Sequence, residues 1–272
     1  MTIYCIHDKV RLPSDSFAWK GCKRSMELIT LGTGSCAVSA TRFHSSILIH
    51  AEQALYLFDA GAPVEALICR AGADLKQLRA VFISHFHADH AAGLPALIRA
   101  ISDVHGKVKI FLPDFSKKSA LEAWLSALHL AHWSRHVSLH PIQAASFLYQ
   151  DELATVGAIA TAHLPSALPS SFAFTFSSNG RRILYSGDLS ADLHDYPLCA
   201  KETYFDLCLL EATHFSPETA LPHLRLSQFG KLLFVHVHTT WQSQQGEEAL
   251  LRAYASLPYP VFISKDGARF TL

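Results

Sequence analysis

The sequence predicts an α/β fold, in one large domain or two small ones, and three observations bear on it. Apolar, β-rich runs alternate with stretches of helical pattern along most of the chain. Half of the 272 residues are apolar, which supplies a sizeable core. The third observation is the stretch VFISHFHADHAAG at 81–93, where His85, His87, Asp89 and His90 follow a short apolar run. The run at 80–83 reads as a buried strand and 94–99 as the start of a helix, so the cluster lies on the loop between them. In an extended segment alternate side chains face one way, so His85, His87 and Asp89 can converge while the turn toward the helix redirects His90. Imidazoles and a carboxylate so spaced outline a metal site, with room for two neighbouring ions.

Composition excludes several classes. Lys plus Arg (23) equals Asp plus Glu (23), so there is no global footprint for nucleic acid or an anionic membrane, and any polyanion must be held locally. Six cysteines (Cys5, Cys22, Cys36, Cys69, Cys199, Cys208) are scattered without a CxxC pair, and no apolar signal segment opens the chain. Reduced thiols and a cytoplasmic location are therefore expected. No apolar stretch approaches the roughly 20 residues that span a bilayer, so no membrane partner is expected.

Taken in order, residues 1–25 show little periodicity and form an N-terminal extension of uncertain structure. Residues 26–35 read as a strand running into the turn Gly32-Thr33-Gly34. Those glycines allow close backbone approach, and Arg42, His44, Ser45 and Ser46 supply donors suited to an anionic group, so Arg42, Ser45 and Ser46 are candidate substrate contacts. A plain tight turn explains the glycines equally well. The runs 46–50 and 54–61 suit an antiparallel pair. Residues 63–71 read as a helix stopped near Gly72. After the cluster come a helix to about Ser102, a strand at 108–112, and a long helix N-capped by Ser116 and reaching about His132. His129, His132, His136 and His140 match no motif and read as surface or packing residues. A strand at 155–162 ends at His163. The runs 172–176 and 182–185, joined across Asn179-Gly180, form a hairpin signal, and the second leads into Ser186-Gly187-Asp188. Residues 206–213 (DLCLLEAT), 231–236 ending in His236, and 261–267 read as further strands.

His85-Phe86-His87-Ala88-Asp89-His90 matches the HxHxDH motif, and the chain over 26–272 resembles the metallo-β-lactamase superfamily, hydrolases that carry one or two zinc ions. The glycine turn, Asp59-Ala60-Gly61, His163, the SGD at 186–188 and His236 recur in the order that superfamily shows. DLCLLEAT resembles its ribonuclease Z branch. The resemblance implies an αββα sandwich, two mixed sheets face to face with helices outside and the metals at one edge. It implies that His85, His87 and His163 bind one ion, that Asp89, His90 and His236 bind the other, and that Asp188 bridges them. Asp59 either supports a ligand or simply serves the turn. His238 competes with His236 for the last position, and the family register favours His236.

Nitrogen-rich ligands suit two zinc ions, although imidazole also binds manganese and iron. The implied activity is a dinuclear phosphodiesterase using a metal-bound hydroxide that Asp89 ligates and orients. The expected substrate is a small or exposed phosphodiester, with RNA as a further candidate and a homodimer left open. Ribonuclease Z carries a histidine proton donor just before its Glu-Ala-Thr, and here that position is Leu210; His214, after the Thr, is either a substitute catalytic acid or a surface histidine. The short interval from His163 to Asp188 leaves little room for a protruding tRNA-binding arm. Two other classes stand beside this one: a thioester or lactone hydrolase with the same metals, and a non-catalytic metal sensor.

Overall fold

Apolar β-formers in the first half build β1 (Met26–Gly32), β2 (Ser46–Ala51), β3 (Ala54–Phe58), β4 (Leu78–Phe82), β5 (Val108–Leu112) and β6 (Val137–Pro141). The computed structural model describes residues 26–37, 39–130, 132–165 and 168–272, so the 1–25 extension lies outside the described residues. Strands β3 to β6 run parallel, which requires crossovers. These contain α1 (Val64–Arg70), α2 (Ala88–Ala91), α3 (Leu94–Asp103) and α4 (Lys118–Ala127).

The second half supplies β7 (Ala145–Gln150), β8 (Thr155–Ala160), β9 (Phe172–Ser178), β10 (Arg181–Tyr185), α5 (Cys199–Glu202), β11 (Leu207–Ala212), α6 (Pro217–Arg225), β12 (Leu232–Val237), α7 (Gln244–Ala253), β13 (Val261–Ile263) and β14 (Ala268–Thr271). Among the described residues two seven-stranded sheets result, in the orders β14-β1-β2-β3-β4-β5-β6 and β13-β12-β11-β10-β9-β8-β7. Three apolar cores separate the layers. One lies between the sheets, one under α1, α3 and α4, and one under α5 to α7, giving the expected αββα sandwich.

Alternation along each strand divides these cores. In β4, Phe82 enters the inter-sheet core while Val81 enters the helix-covered one. Phe82 stacks on Phe58 at 5.0 Å and Phe111 at 5.1 Å, and meets Phe174 of the other sheet at 5.9 Å. Each such pair adds about 0.5–1.5 kcal/mol beyond its burial. The end of β4, from which the histidine loop departs, is thereby anchored.

Several elements depart from expectation. The helix expected from Ser116 to His132 is shorter, because Asp114 caps a single 3-10 turn by accepting from the Ser116 amide and α4 starts only at Lys118. It ends at Ala127, and His129 follows with φ +57°, a left-handed conformation that stops a helix. Strands β6 and β7 fall in 137–150, where partial burial leaves no clear hydrophobic alternation. The closing segment makes two strands: β13 lies parallel to β12, and β14 crosses to pair antiparallel with β1 of the other sheet. Among the described residues Cys36, Cys69, Cys199 and Cys208 are free thiols, and no helix is long and apolar enough to cross a membrane.

Candidate metal centre

The carboxyl ends of β4, β8, β10, β11 and β12 meet along one edge of the sandwich, the usual place for a ligand site in α/β sheets. His85 and His87 lie in the loop after β4, and Asp89 and His90 in α2. His163 follows β8, Asp188 follows β10, His214 follows β11, and His236 closes β12 with φ +48°. The left-handed turn at His236 is a sparsely populated conformation for a non-glycine residue, a kind of strain that collects at functional sites.

These side chains fall into overlapping groups whose donor atoms lie within 4.8 Å of one another: His85, His87, His163 and Asp188; Asp89, His90 and His236; and Asp188, His214 and His236. Alternation through an extended segment accounts for His85 and His87 but not for Asp89. The helix begins at Ala88, so Asp89 and His90 share the first turn of α2 and group with His236 instead. His238 stays outside the groups, its Nδ1 2.9 Å from Thr240 Oγ1.

Imidazole nitrogens face one another at short range, with His85 Nε2 2.9 Å and His163 Nε2 3.3 Å from His87 Nδ1. Asp188 stands at the centre, its oxygens 3.4 Å from His90 Nε2, 3.5 Å from His85 Nε2 and His236 Nε2, and 3.7 Å from His163 Nε2. The outward nitrogens of three rings are held from behind. His85 Nδ1 is 3.1 Å from Ser84 Oγ, His90 Nδ1 is 2.8 Å from Asp59 Oδ2, and His236 Nδ1 is 2.8 Å from Ser45 Oγ. Asp59 in turn accepts from the Ser84 amide and hydroxyl and from Tyr185 Oη. Partners behind a ligating histidine fix its tautomer and aim its inward nitrogen.

Electrostatics favour the ligating forms of His85, His163, His236 and Asp188. Burial holds His85 and His163 below the usual imidazole range and pushes His236 down to about 4, so these rings are neutral donors. Burial would raise Asp188, but His236 and His90 around it hold it well below the usual carboxylate range. His90 is raised despite its burial, because Asp188 and Asp59 flank it. Among the described residues, buried His90 Nε2 and Asp188 Oδ1 have no hydrogen-bond partner. A cation between them supplies what both lack, so the donor set fits a metal.

Glu211 is a residue that sequence reasoning quoted but assigned no role. Fully buried, it accepts from the amides of Leu189, Thr213 and His214 and lies 2.8 Å from His214 Nδ1. Burial lowers His214, but the Glu211 carboxylate raises it more. The signal was available in the three-residue spacing of Glu211 and His214 at a strand end. Leu210 needs correction. It packs with Leu184, Phe234 and Tyr254 in the helix-covered core, so a side chain at 210 points away from the cluster and its identity says little about proton donation.

The three candidate substrate contacts are also redirected. Arg42 is buried, with Nη1 donating to Thr33 Oγ1 and the Ser264 carbonyl and Nη2 paired with Glu247 at 2.9 Å, so it braces α7 against the glycine turn. Ser45 orients His236. Ser46 is fully buried and its hydroxyl turns to the His44 carbonyl at 3.4 Å. Gly32 approaches protein backbone, since a Cβ there would lie 1.9 Å from the His44 carbonyl oxygen. The close-approach reading of these glycines is the one the structure supports, and what they approach is the chain's own backbone at 42–44.

The sequence model of the Anti-Pycsar protein Apyc1 family matches residues 26–248. A ribonuclease Z of Methanosarcina mazei is 32% identical over 119 residues, 43% of this chain and 39% of that protein, so the match spans less than half of that relative. The metallo-β-lactamase fold protein YhfI from Bacillus subtilis superposes with a TM-score of 0.72 at 18% identity, covering 91% of this chain and 100% of that one. The short form of human tRNase Z gives 0.66 at 23%, covering 90% and 98%. The resemblance to the ribonuclease Z side of the metallo-β-lactamase superfamily and the predicted sandwich are both borne out.

Proposed function

The chain belongs to the Anti-Pycsar protein Apyc1 family, and from that premise and the geometry of its histidine cluster we propose that it is a metal-dependent hydrolase of small or exposed phosphodiesters. The observation that carries the reading is the convergence of six imidazoles and two carboxylates, among them buried His90 Nε2 and Asp188 Oδ1 without hydrogen-bond partners. His85, His87 and His163 would hold one ion, and Asp89, His90 and His236 the other, with Asp188 between them. Zinc suits this nitrogen-rich set, and manganese or iron fit the same donors. When bound, such a pair supplies an acidified water and neutralises charge on the phosphoryl group.

The remaining work falls to the chain itself. Asp89, buried beside His90 and His236, orients the attacking water and accepts its proton. Asp59 and Ser45 keep His90 and His236 aimed while charge shifts. His214, its Nδ1 held by Glu211, offers Nε2 to the departing oxygen. The interval from His163 to Asp188 consists largely of β9 and β10 and their tight turn, and the chain's charges balance. Both features support a substrate that needs no extended phosphate grip, so precursor tRNA should be a poor one.

The test is a panel of bis(4-nitrophenyl) phosphate, a thioester, a lactone and a precursor tRNA, assayed with metal content measured. Chelator-sensitive turnover of the diester alone is expected. Efficient cleavage of precursor tRNA at its 3′ boundary, preference for the carbonyl substrates, or absence of bound metal after reconstitution would each overturn the reading.

A further inference from the structure

His163 and Asp188 lie in different loops, and neither loop is regular structure. β8 ends at Ala160, and among the described residues no helix or strand occupies 186–198. The ladder's support for His163 stops at the Thr161 amide, which donates to the Ser171 carbonyl at 2.9 Å. Beyond the histidine, the Leu164 amide reaches Ser171 Oγ only at 3.5 Å. A ligating side chain must be held to within about 0.5 Å of its working position, so this segment needs a further tie.

Asp195 supplies it. Its Oδ2 accepts from the Ala162 amide, one residue before His163, at 2.6 Å, and both its oxygens stand 3.1 Å from the Ser190 amide, two residues after Asp188. Ser190 Oγ donates to Oδ1 at 2.6 Å. One carboxylate thus clasps both loops through charge-assisted hydrogen bonds, which are stronger than neutral ones. Glu211 holds the neighbouring Leu189 amide at 2.7 Å, so the two amides that follow Asp188 each end on a carboxylate.

The chain turns sharply to bring Asp195 back to this place. Leu193 has φ +57°, a left-handed conformation seldom adopted by a bulky residue. Burial of its side chain with that of Tyr196, in the core under α5 to α7, holds it there. The Leu193 amide donates to the Ser190 carbonyl at 3.0 Å, and Tyr196 Oη lies 2.8 Å from Ser227 Oγ. The core therefore fixes the chain on both sides of Asp195.

We propose that Asp195 is a positioning residue of the metal centre, setting where His163 stands relative to Asp188 and hence the affinity for the ion that His85, His87 and His163 would hold. The inference rests on the metal-centre reading and goes beyond it, because Asp195 is in none of the histidine and aspartate groups and acts through backbone amides alone. Ser45 and Asp59 do the corresponding work for His236 and His90 by touching the rings themselves.

Zinc affinity, read by titration against a chromophoric chelator, tests this without relying on turnover. Asp195→Ala is expected to weaken one of the two bound ions by about 10- to 100-fold, and Asp195→Asn, which keeps one acceptor oxygen, by less. Asp192→Ala is the control. Exposed Asp192 lies 2.9 Å from the same Ser190 hydroxyl but takes neither the Ala162 nor the Ser190 amide, so its loss should leave zinc affinity unchanged. In a His163→Ala background, Asp195→Asn should cost much less than it does alone, since residues that act through one another are not additive. Unchanged affinity in Asp195→Asn, an equal loss in Asp192→Ala, or full additivity with His163→Ala overturns the inference, whatever happens to stability; the Asn variant decides if Asp195→Ala does not fold. A wild-type protein that binds no zinc would overturn the metal-centre reading and this one with it, whereas zinc bound and unmoved by Asp195 overturns this one alone.

Discussion

Asp59, just after β3, and Asp151, in the turn between β7 and β8 at the far end of the sandwich, use similar chemistry to join the two sheets. Asp59 accepts from Ser84 N and Oγ, His90 Nδ1 and, across the sandwich, Tyr185 Oη at 2.6 Å. Asp151 accepts from Tyr149 Oη, the amides of Leu153 and Ala154, Arg79 and, from the opposite sheet, Tyr56 Oη at 2.8 Å. Both carboxylates are saturated. The difference lies beyond the partners. The tyrosines on Asp151 have no second polar atom, whereas His90 presents its other nitrogen, buried and unpartnered, to the cluster. A saturated carboxylate is structural where its partners end in the core, and becomes part of a site where one partner carries a second ligating atom.

Four substitutions or conditions test that distinction. The largest effect is expected at the cluster itself. Asp89→Ala should lower hydrolysis on the order of 10³-fold with the far-ultraviolet circular dichroism intact, because it removes both a donor and the group that orients water. Retained turnover in this variant would remove Asp89 from the proposed chemistry.

Asp59→Asn comes next. Loss of the acceptor behind His90 should weaken metal binding by about 10- to 100-fold, read by titration against a competing chelator. An unchanged affinity would place Asp59 in the same structural class as Asp151.

Asp151→Asn should do the reverse. It should leave kcat/KM and metal content unchanged while costing about 1–3 kcal/mol of stability in denaturant unfolding, since buried hydroxyl and amide donors lose part of their acceptor. Lost activity in a folded Asp151→Asn protein would break the contrast.

The smallest effect is one of pH. Burial would raise the Asp151 carboxyl, but the Leu153 and Ala154 amides and the Tyr149 and Tyr56 hydroxyls outweigh it and hold it below the usual range. A depressed native pKa contributes stability above the unfolded value of about 3.9, and that contribution is lost as pH falls through the native value. The acid limb of the wild-type stability curve should therefore be steeper than that of Asp151→Asn in that window. Parallel limbs would show that the Asp151 network does not couple to pH.

The sequence by itself determined the chemistry of the edge and the order of its parts. His85, His87, Asp89 and His90 are local, and a strand followed by a helix identifies their loop. His163, Asp188 and His236 each end an apolar run, so their place at strand ends was legible without coordinates. The sandwich itself was implied by the family resemblance, while most strands and helices were readable because alternation and turn residues act over a few positions. Strands β6, β7 and β14 were not, since their side chains are only partly buried and their pairing depends on distant partners.

Only the tertiary structure decided which atoms face one another. Arg42, Ser45 and Ser46 looked like donors for an anion, yet the first braces α7, the second holds His236 and the third is sealed in β2. Leu210 and Glu211 are neighbours in the chain, but strand alternation sends one into the helix-covered core and leaves the other beside His214. Tyr185 reaches Asp59 across 126 residues. Sequence carries residue type and local period, whereas a hydrogen bond between sheets is set by how two independently patterned layers pack, and that register is written in no short stretch of chain.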